Sequence, residues 1–367
     1  MTRQDKLGAL VPAQKKSKSH KEKKIVRLKA MEARSVDEIP QGKEWQYEPK
    51  WDGFRCLLVR TASDVALISK SGKDLTRYFP EVKSAALSLK EKIFTLDGEI
   101  VVPNGEVFSF DDLLQRVHPA PSRIKQLSEQ TPALFLAFDF LKRNKTDFSR
   151  LPLAKRRPAL EAFAAKSFQE GGVFRLSPAS RKFSDAQRWL ISAGGGSDGL
   201  IAKRTDLPYR AETRDGMQKI KRYRSADCVI GGFRYAENRR SGRKVVGSIL
   251  LGLYDAKGLL HHVGFSSGIK SKEKLMLTDK LQSILNKRSF TGNMPGAPSR
   301  WSTKRSSQWK AVTPKYVVEI SYDHFTGGRF RHGTSILRWR PDKKPKQCTL
   351  HQLQEKVVLP AMLLRTV

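Results

Sequence analysis

Lys50-Trp51-Asp52-Gly53-Phe54-Arg55 is the stretch on which the reading of the whole chain depends. An amine, a carboxylate, a glycine and a guanidinium stand at fixed positions within six residues. Those four identities recur by chance in a chain this basic in roughly one of a hundred such sequences, from its own residue usage. Taken alone, the stretch also fits an exposed β-turn, because Asp-Gly is common there. What lifts it is an ordered set downstream. Leu96-Asp97-Gly98-Glu99, Phe138-Asp139, Asp198-Gly199-Leu200-Ile201-Ala202-Lys203 and Lys219-Ile220-Lys221 follow in turn, and Arg338-Trp339-Arg340-Pro341-Asp342-Lys343 closes the series.

The motifs sit in a strongly basic chain. Its 367 residues hold 70 Lys and Arg against 36 Asp and Glu, a formal net charge of +34. Residues 1–29 account for +8, residues 30–225 for +9 and residues 226–367 for +17. The last part looks folded and still holds half the charge. A folded domain this basic is expected to hold a polyanion, because each phosphate it neutralises releases counterions. At 39% hydrophobic and 29% charged, the chain reads as globular. No apolar run approaches the roughly 18 residues of a membrane span, and no secretory leader is evident, so a cytoplasmic location is expected. Cys56, Cys228 and Cys348 lie far apart and form no CxxC pair, which argues against a zinc ribbon or a disulfide framework.

Along the chain, residues 1–27 lack apolar periodicity and read as a disordered basic arm. From Trp45 onward, β-rich runs at 56–61, 65–71 and 92–102 are set off by turn signals at Ala62-Ser63-Asp64 and Lys70-Ser71-Gly72-Lys73. Helices are predicted at about 80–92, 109–117, 154–165 and 183–193. Residues 134–141 read as a buried strand, and Gly194-Gly195-Gly196 as a loop before another strand. After Arg224, strand-like runs at 228–236, 246–255, 259–267 and 315–325 are interrupted by one helix at about 270–286. That pattern suits a small Greek-key barrel of the OB type. Residues 349–358 read as a short helix capped by Thr349. The expected domains are the arm at 1–27, a first domain at 28–224 and a barrel domain at 225–367.

The ordered motifs resemble those of the covalent nucleotidyltransferases, and among them the ATP-dependent DNA ligases of compact bacterial type. The likeness covers about residues 45–345. It implies an α+β adenylation domain of antiparallel sheets with helices, followed by an OB-fold β-barrel. It implies ATP and Mg²⁺, or Mn²⁺ in its place, nicked duplex DNA as substrate, a role in repair or recombination, and a monomer without membrane attachment. By the same resemblance Lys50 is the nucleophile that becomes lysyl-AMP. Its amine must lose a proton, which burial and nearby cations, bound metal among them, would favour. Asp52 lies near the sugar and the metal, Arg55 reaches ribose or phosphate, Gly53 permits the turn between them, and Glu48 reads the adenine edge. Glu99 and Asp198 are the metal candidates. The family usually has Glu where Asp198 stands.

Phe138 matches the aromatic on which adenine stacks, though an apolar neighbourhood also suits core packing. Lys219 and Lys221 alternate on a strand and with Lys203 line the phosphate path; an edge strand kept soluble by lysines would look the same. Met217 stands where the family often has Trp. Lys70 stands where it commonly has Arg, so a bidentate fork on the DNA 5′-phosphate becomes a point charge. Arg338, Arg340, Asp342 and Lys343 resemble the barrel motif that orients leaving pyrophosphate. Gly327-Gly328 reads as a hinge or a phosphate nest.

Other classes share parts of this pattern. An mRNA guanylyltransferase would keep the first motif and take GTP, and RNA ligase is a further enzyme reading. An NAD-dependent ligase is disfavoured by the missing four-cysteine zinc cluster. A basic OB-fold DNA-binding protein with an inactive transferase domain would satisfy the charge, but the intact Lys50, Lys219 and Lys221 count against it.

Overall fold

Between Trp45 and Arg60 the chain runs as two strands, Trp45–Trp51 and Phe54–Arg60, and the break at Asp52-Gly53 passes it from one sheet to another. Gly53 is needed there for a steric reason. A Cβ on it would lie 2.2 Å from the Ile100 carbonyl oxygen. Its φ is not among the positive ones, so close approach of backbones, not turn geometry, selects the glycine. The computed structural model describes residues 29–237, 242–296, 308–331, 333–354 and 363–364. The arm expected at 1–27 lies outside the described residues. Two compact units emerge, Met1–Arg222 with Val357–Val367, and Tyr223–Lys356.

In the first unit a four-stranded sheet has the order Arg34–Ser35, Met217–Lys221, Ser197–Arg204, Trp45–Trp51. Side chains alternate between its faces. Trp45, Tyr47, Leu200, Ala202 and Ile220 point one way and pack with Ala186 of the helix Phe183–Ile191. The second sheet orders Phe174–Leu176, Leu134–Arg143, Phe94–Val101, Phe54–Arg60 and Val65–Ser69, with Thr146–Asp147 paired to the second of these. Phe54, Cys56, Leu58, Phe94, Leu96, Phe135 and Phe140 fill the main core. The helices Pro80–Ser88, Phe110–Gln115 and Leu153–Ser167 close that core through Val82, Leu113 and Phe163. Burying each such Leu or Phe contributes about 1.5–3 kcal/mol. A satellite cluster of Trp51, Val101, Phe108 and Leu136 is covered in part by Leu363 and Leu364. The helix Pro121–Gln130 was not foreseen, although Pro121 at its first turn is a start signal.

The second unit is a barrel of antiparallel strands. Arg224–Glu237 pairs with both Lys244–Tyr254 and Val317–Tyr322; Leu260–Ser266 extends one side and Ser335–Trp339 the other. A parallel bridge between Ser266 and Thr334 closes the ring. The helix falls at Lys274–Gln282, shorter than read, and a 3₁₀ turn at Ser271–Glu273 precedes it. Two other readings are corrected. Gly327 and Gly328 form the two-residue turn between Phe325–Thr326 and Arg329–Phe330, with φ of 57° and 74°. Positive φ at both positions is what a tight hairpin of matching twist requires, so the pair is a hairpin turn and not a hinge. Near the C-terminus, Leu350–Leu353 is a 3₁₀ turn, and Thr349 makes no side-chain cap. Residues 355–358 of that predicted helix lie outside the described residues. Among the described residues no helix is long and apolar enough to cross a membrane.

Candidate active site

Strand register assembles the first half of the site. Lys50 lies opposite Gly199, which lies opposite Lys221; Glu48 lies opposite Ile201, which lies opposite Lys219; Gln46 lies opposite Lys203, which lies opposite Met217. Residues directly opposite share a face, so these three rows project together, away from the Trp45–Tyr47 core. Gly199 carries no side chain between the two lysines of its row. Lys203 does not join Lys219 and Lys221 on a phosphate path as expected. Its Nζ is 2.7 Å from Glu48 Oε2, donates to the Phe138 carbonyl at 3.3 Å and lies 4.5 Å from the centre of the Phe138 ring. Gln46 Nε2 donates to the other oxygen of Glu48 at 2.8 Å.

The second sheet supplies the rest. Arg55 lies opposite Glu99, and its guanidinium forks onto Asp97 at 3.1 and 2.7 Å. Tyr209 donates to the same carboxylate at 2.7 Å and accepts from the Met31 amide. Thus Arg55 is anchored, with its guanidinium 5.4 Å from the Phe138 ring centre. Phe138 itself owes its aim to an irregularity. Asp97 pairs with Asp139 and Gly98 with Ala137, which leaves Phe138 as the extra residue of a bulge. A bulged residue is turned out of the normal alternation. Its ring is therefore only partly buried and stands outside the core clusters.

Charges in the site are tightly coupled. Lys50 Nζ lies 2.6 Å from Asp198 Oδ2. Burial pulls the lysine pKa down, but Asp198, Asp52 and Glu99 outweigh it and the net direction is up. Three carboxylates acting on the amine set that direction. Glu99 accepts from the Gly53 amide at 3.2 Å, and burial pushes its carboxyl up to about 8 despite Lys50 and Arg55. Lys219 moves the other way, lowered by burial and by Lys50, Lys70, Lys221 and Arg214. Lys70 is paired with Glu32 at 3.4 Å. Asp52, Glu99 and Asp198 are each buried. Carboxylate oxygens of Asp52 and Asp198 lie within 4.8 Å of one another, hard donors of the kind that Mg²⁺ or Mn²⁺ takes.

Behind Phe138, Asp139 and Arg156 form a buried bidentate pair at 2.7 and 3.0 Å. Burial raises the Asp139 pKa and Arg156 more than reverses it, so the net direction is down. A lowered carboxyl contributes stability that is complete above its unfolded value of about 3.9 and is lost as pH falls through the folded value. Arg156→Ala should cost about 3–5 kcal/mol at neutral pH, the range for orphaning a buried charge. In urea unfolding, the gap to wild type should narrow as pH drops below the usual aspartate range. A gap independent of pH would show that lost packing, not the ion pair, is responsible.

In the second unit, Arg340 Nη1 donates to Asp227 at 2.9 Å, its Nη2 donates to Asp342 at 2.8 Å, and Lys343 Nζ lies 2.6 Å from Asp227. Arg338 instead pairs with Glu319. Sequence reading missed Asp227, because an isolated acid some hundred residues upstream gives no local signal. It also missed Tyr209 and Asp97 as the holders of Arg55. Gln46 was within reach, since alternation from Lys50 through Glu48 leads to it.

Residues 21–221 match the ATP dependent DNA ligase domain, and residues 242–343 match the ATP dependent DNA ligase C terminal region. DNA ligase C2 of Mycolicibacterium smegmatis is 40% identical over 338 residues, covering 88% of this chain and 93% of the relative. DNA ligase C of Mycobacterium tuberculosis is 36% identical over 343 residues, covering 90% and 94%. A solved structure from a structure–function study of Lig E DNA ligases shares the fold at a TM-score of 0.50 and 16% identity, covering 85% of this chain and 99% of that one. The chain therefore belongs to the ATP-dependent DNA ligases, enzymes that seal nicks in DNA, with an adenylation domain followed by an OB-fold domain.

Proposed function

We propose that Lys50 is the nucleophile of this ligase and that the residues around it divide the labour of three steps. The observation that carries the proposal is the shared sheet face, on which Lys50, Glu48, Lys219 and Lys221 stand in register. In the first step the unprotonated Nζ attacks the α-phosphorus of ATP. A P–N bond forms, the bond to the bridging oxygen breaks, and pyrophosphate leaves. The Nζ proton passes to a carboxylate, and Asp198 at 2.6 Å is the acceptor in place. Glu48 holds the adenine edge, with Gln46 and Lys203 fixing its carboxylate. Phe138 stacks the base, and Asp52 and Arg55 hold the sugar. Lys219 and Lys221 neutralise the α-phosphate. Glu99 and Asp198 would hold a divalent cation, which supplies charge neutralisation among carboxylates and phosphates.

In the second step AMP passes to the 5′-phosphate of the nick, which Lys70 contacts. In the third the 3′-hydroxyl displaces AMP. Arg340, Asp342 and Lys343 act on pyrophosphate, and Asp227 presets the two cations. We place the enzyme in the cytoplasm as a monomer that works in DNA repair. Label from α-labelled ATP should appear on the protein with Mg²⁺ and move to DNA when nicked duplex is added. Label that stays on the protein would contradict the ligase steps, and label from GTP would favour a guanylyltransferase.

The basic run at 1–27 has a separate expected role. Deleting it should weaken binding to duplex DNA and flatten the salt dependence, because up to nine cations go. Self-adenylylation should be unchanged, since no site residue is lost. Binding isotherms at several salt concentrations measure the slope, and an unchanged slope would show that the run does not touch DNA.

A further inference from the structure

The strand Arg224–Glu237 has two neighbours, and they accompany it over different lengths. Its ladder to Val317–Tyr322 runs from Arg224 to Val229, whereas its ladder to Lys244–Tyr254 ends at Val229, opposite Gly252. One step further, Asp227 still has Glu319 across from it on one side, but on the other the partner strand has diverged. The segment after the last strand fills that gap. The Tyr254 amide donates to the Cys348 carbonyl at 2.8 Å, and Tyr254 forms a parallel bridge with Thr349. Gln352 then turns its carboxamide onto Asp227. Its Oε1 accepts from the Asp227 amide at 2.8 Å, and its Nε2 donates to the Asp227 carbonyl at 3.0 Å. The same Nε2 donates to the Thr349 carbonyl at 2.9 Å, which fixes the carboxamide in turn.

Backbone amides and carbonyls inside a fold need partners, and a side-chain amide offers an acceptor and a donor at once. Gln352 thus does for Asp227 what the next residue pair of the ladder would have done. Asp227 is also the residue on which the barrel motif converges. Its Oδ1 accepts from Arg340 Nη1 at 2.9 Å, and its Oδ2 lies 2.6 Å from Lys343 Nζ. The Arg340 amide is fixed separately, donating to the Val317 carbonyl at 2.9 Å. Two cations are therefore set by one carboxylate, and the backbone beneath that carboxylate is clamped by Gln352. Stabilisation of a leaving anion depends on charges that are in place before it forms.

We propose that Gln352 is a positioning residue of the adenylation step. By closing the open side of the Asp227 peptide it holds the Asp227 carboxylate, and through it Arg340 and Lys343, in the arrangement that takes pyrophosphate. The inference rests on the assignment of Arg340 and Lys343 to pyrophosphate made above. It extends that assignment to a segment beyond the last of the ordered motifs.

The reverse of the first step tests it. Full-length protein, charged with AMP beforehand, is mixed with pyrophosphate and Mg²⁺. A pyrophosphate oxygen attacks the α-phosphorus, the P–N bond breaks, ATP leaves and Lys50 regains its proton. The pyrophosphate concentration giving half the maximal rate reads the placement of the two cations. Gln352→Met, unbranched and of similar length but without the two hydrogen bonds, should raise that concentration by about tenfold. Its rate on a nick that already carries AMP should stay near wild type. Gln352→Glu keeps the acceptor for the Asp227 amide and loses the donor to its carbonyl, so it should fall between. A Gln352→Met protein with the wild-type pyrophosphate dependence would overturn the proposal. So would one that loses sealing of the pre-adenylylated nick to the same degree, because Gln352 would then only maintain the fold. Arg340→Ala run alongside separates the inference from the reading beneath it. If Arg340→Ala also leaves the pyrophosphate dependence unchanged, the assignment of the barrel motif falls and the inference with it. A loss confined to Arg340→Ala overturns the role of Gln352 alone.

Discussion

Lys50→Ala and Lys50→Arg proteins are expected to carry no label after incubation with α-labelled ATP and Mg²⁺, where wild type is labelled. The two substitutions fail for different reasons, and together they isolate the chemistry. Alanine removes the amine and with it one cation from the buried Asp198 carboxylate, which is 8% exposed. Some of its loss could therefore come from a rearranged site. Arginine keeps a cation beside Asp198, so the electrostatics that hold Asp52, Glu99 and Asp198 together persist. Its guanidinium stays charged at any working pH and offers no free lone pair for phosphorus. Loss of label in Lys50→Arg is then loss of the nucleophile. A protein gel with autoradiography reads both. Label surviving in both variants would move the covalent attachment elsewhere, and Lys219, whose pKa is already pulled down, would become the first amine to examine.

Much of this site was legible before any coordinates, and the reason is periodicity. Lys50 and Glu48, or Lys219 and Lys221, are two apart on strands, and two apart on a strand is the same face. The barrel's strands were legible for the same reason. What the sequence hid were relationships set by pairing between distant segments. Phe138 escapes the core only because a bulge opposite Asp97 and Gly98 turns it out, and a bulge leaves no mark in an apolar run such as 134–141. Lys203 looked like a third phosphate lysine because Lys and phosphate are a safe pairing by charge. Register put it beside Glu48 instead, one row beyond the lysines it was grouped with. The raised pKa of Lys50 was out of reach for a similar reason. Its sign depends on three carboxylates drawn from Asp52, Glu99 and Asp198, and no one motif contains all three. Gly53 was chosen correctly but for the wrong cause, since the Ile100 carbonyl that excludes a Cβ lies 47 residues away in sequence.

Arg340→Ala should separate the chemical steps, and this follows from where pyrophosphate appears in the reaction. Pyrophosphate leaves only while ATP is being consumed by Lys50. A nick that already carries AMP contains no pyrophosphate, and its sealing calls on the 3′-hydroxyl, Lys219, Lys221 and the bound cation. If Arg340 and Asp342 serve the leaving group alone, self-adenylylation should fall by roughly a hundredfold or more, the size expected for removing one preorganised charge stabiliser. The rate on pre-adenylylated nicked DNA should fall far less. The structure makes this variant a fair test. Asp227, which Arg340 contacts through Nη1, keeps Lys343 at 2.6 Å, so the buried carboxylate is not orphaned by the change. Asp198→Ala should behave differently and depress both steps, because charge neutralisation at the phosphates is needed in each. Single-turnover assays of the two steps give four numbers for the two variants. Equal losses in both steps for Arg340→Ala would mean that the barrel motif acts through DNA binding or folding, and a barrel that engages the nucleotide only while pyrophosphate departs would lose its support.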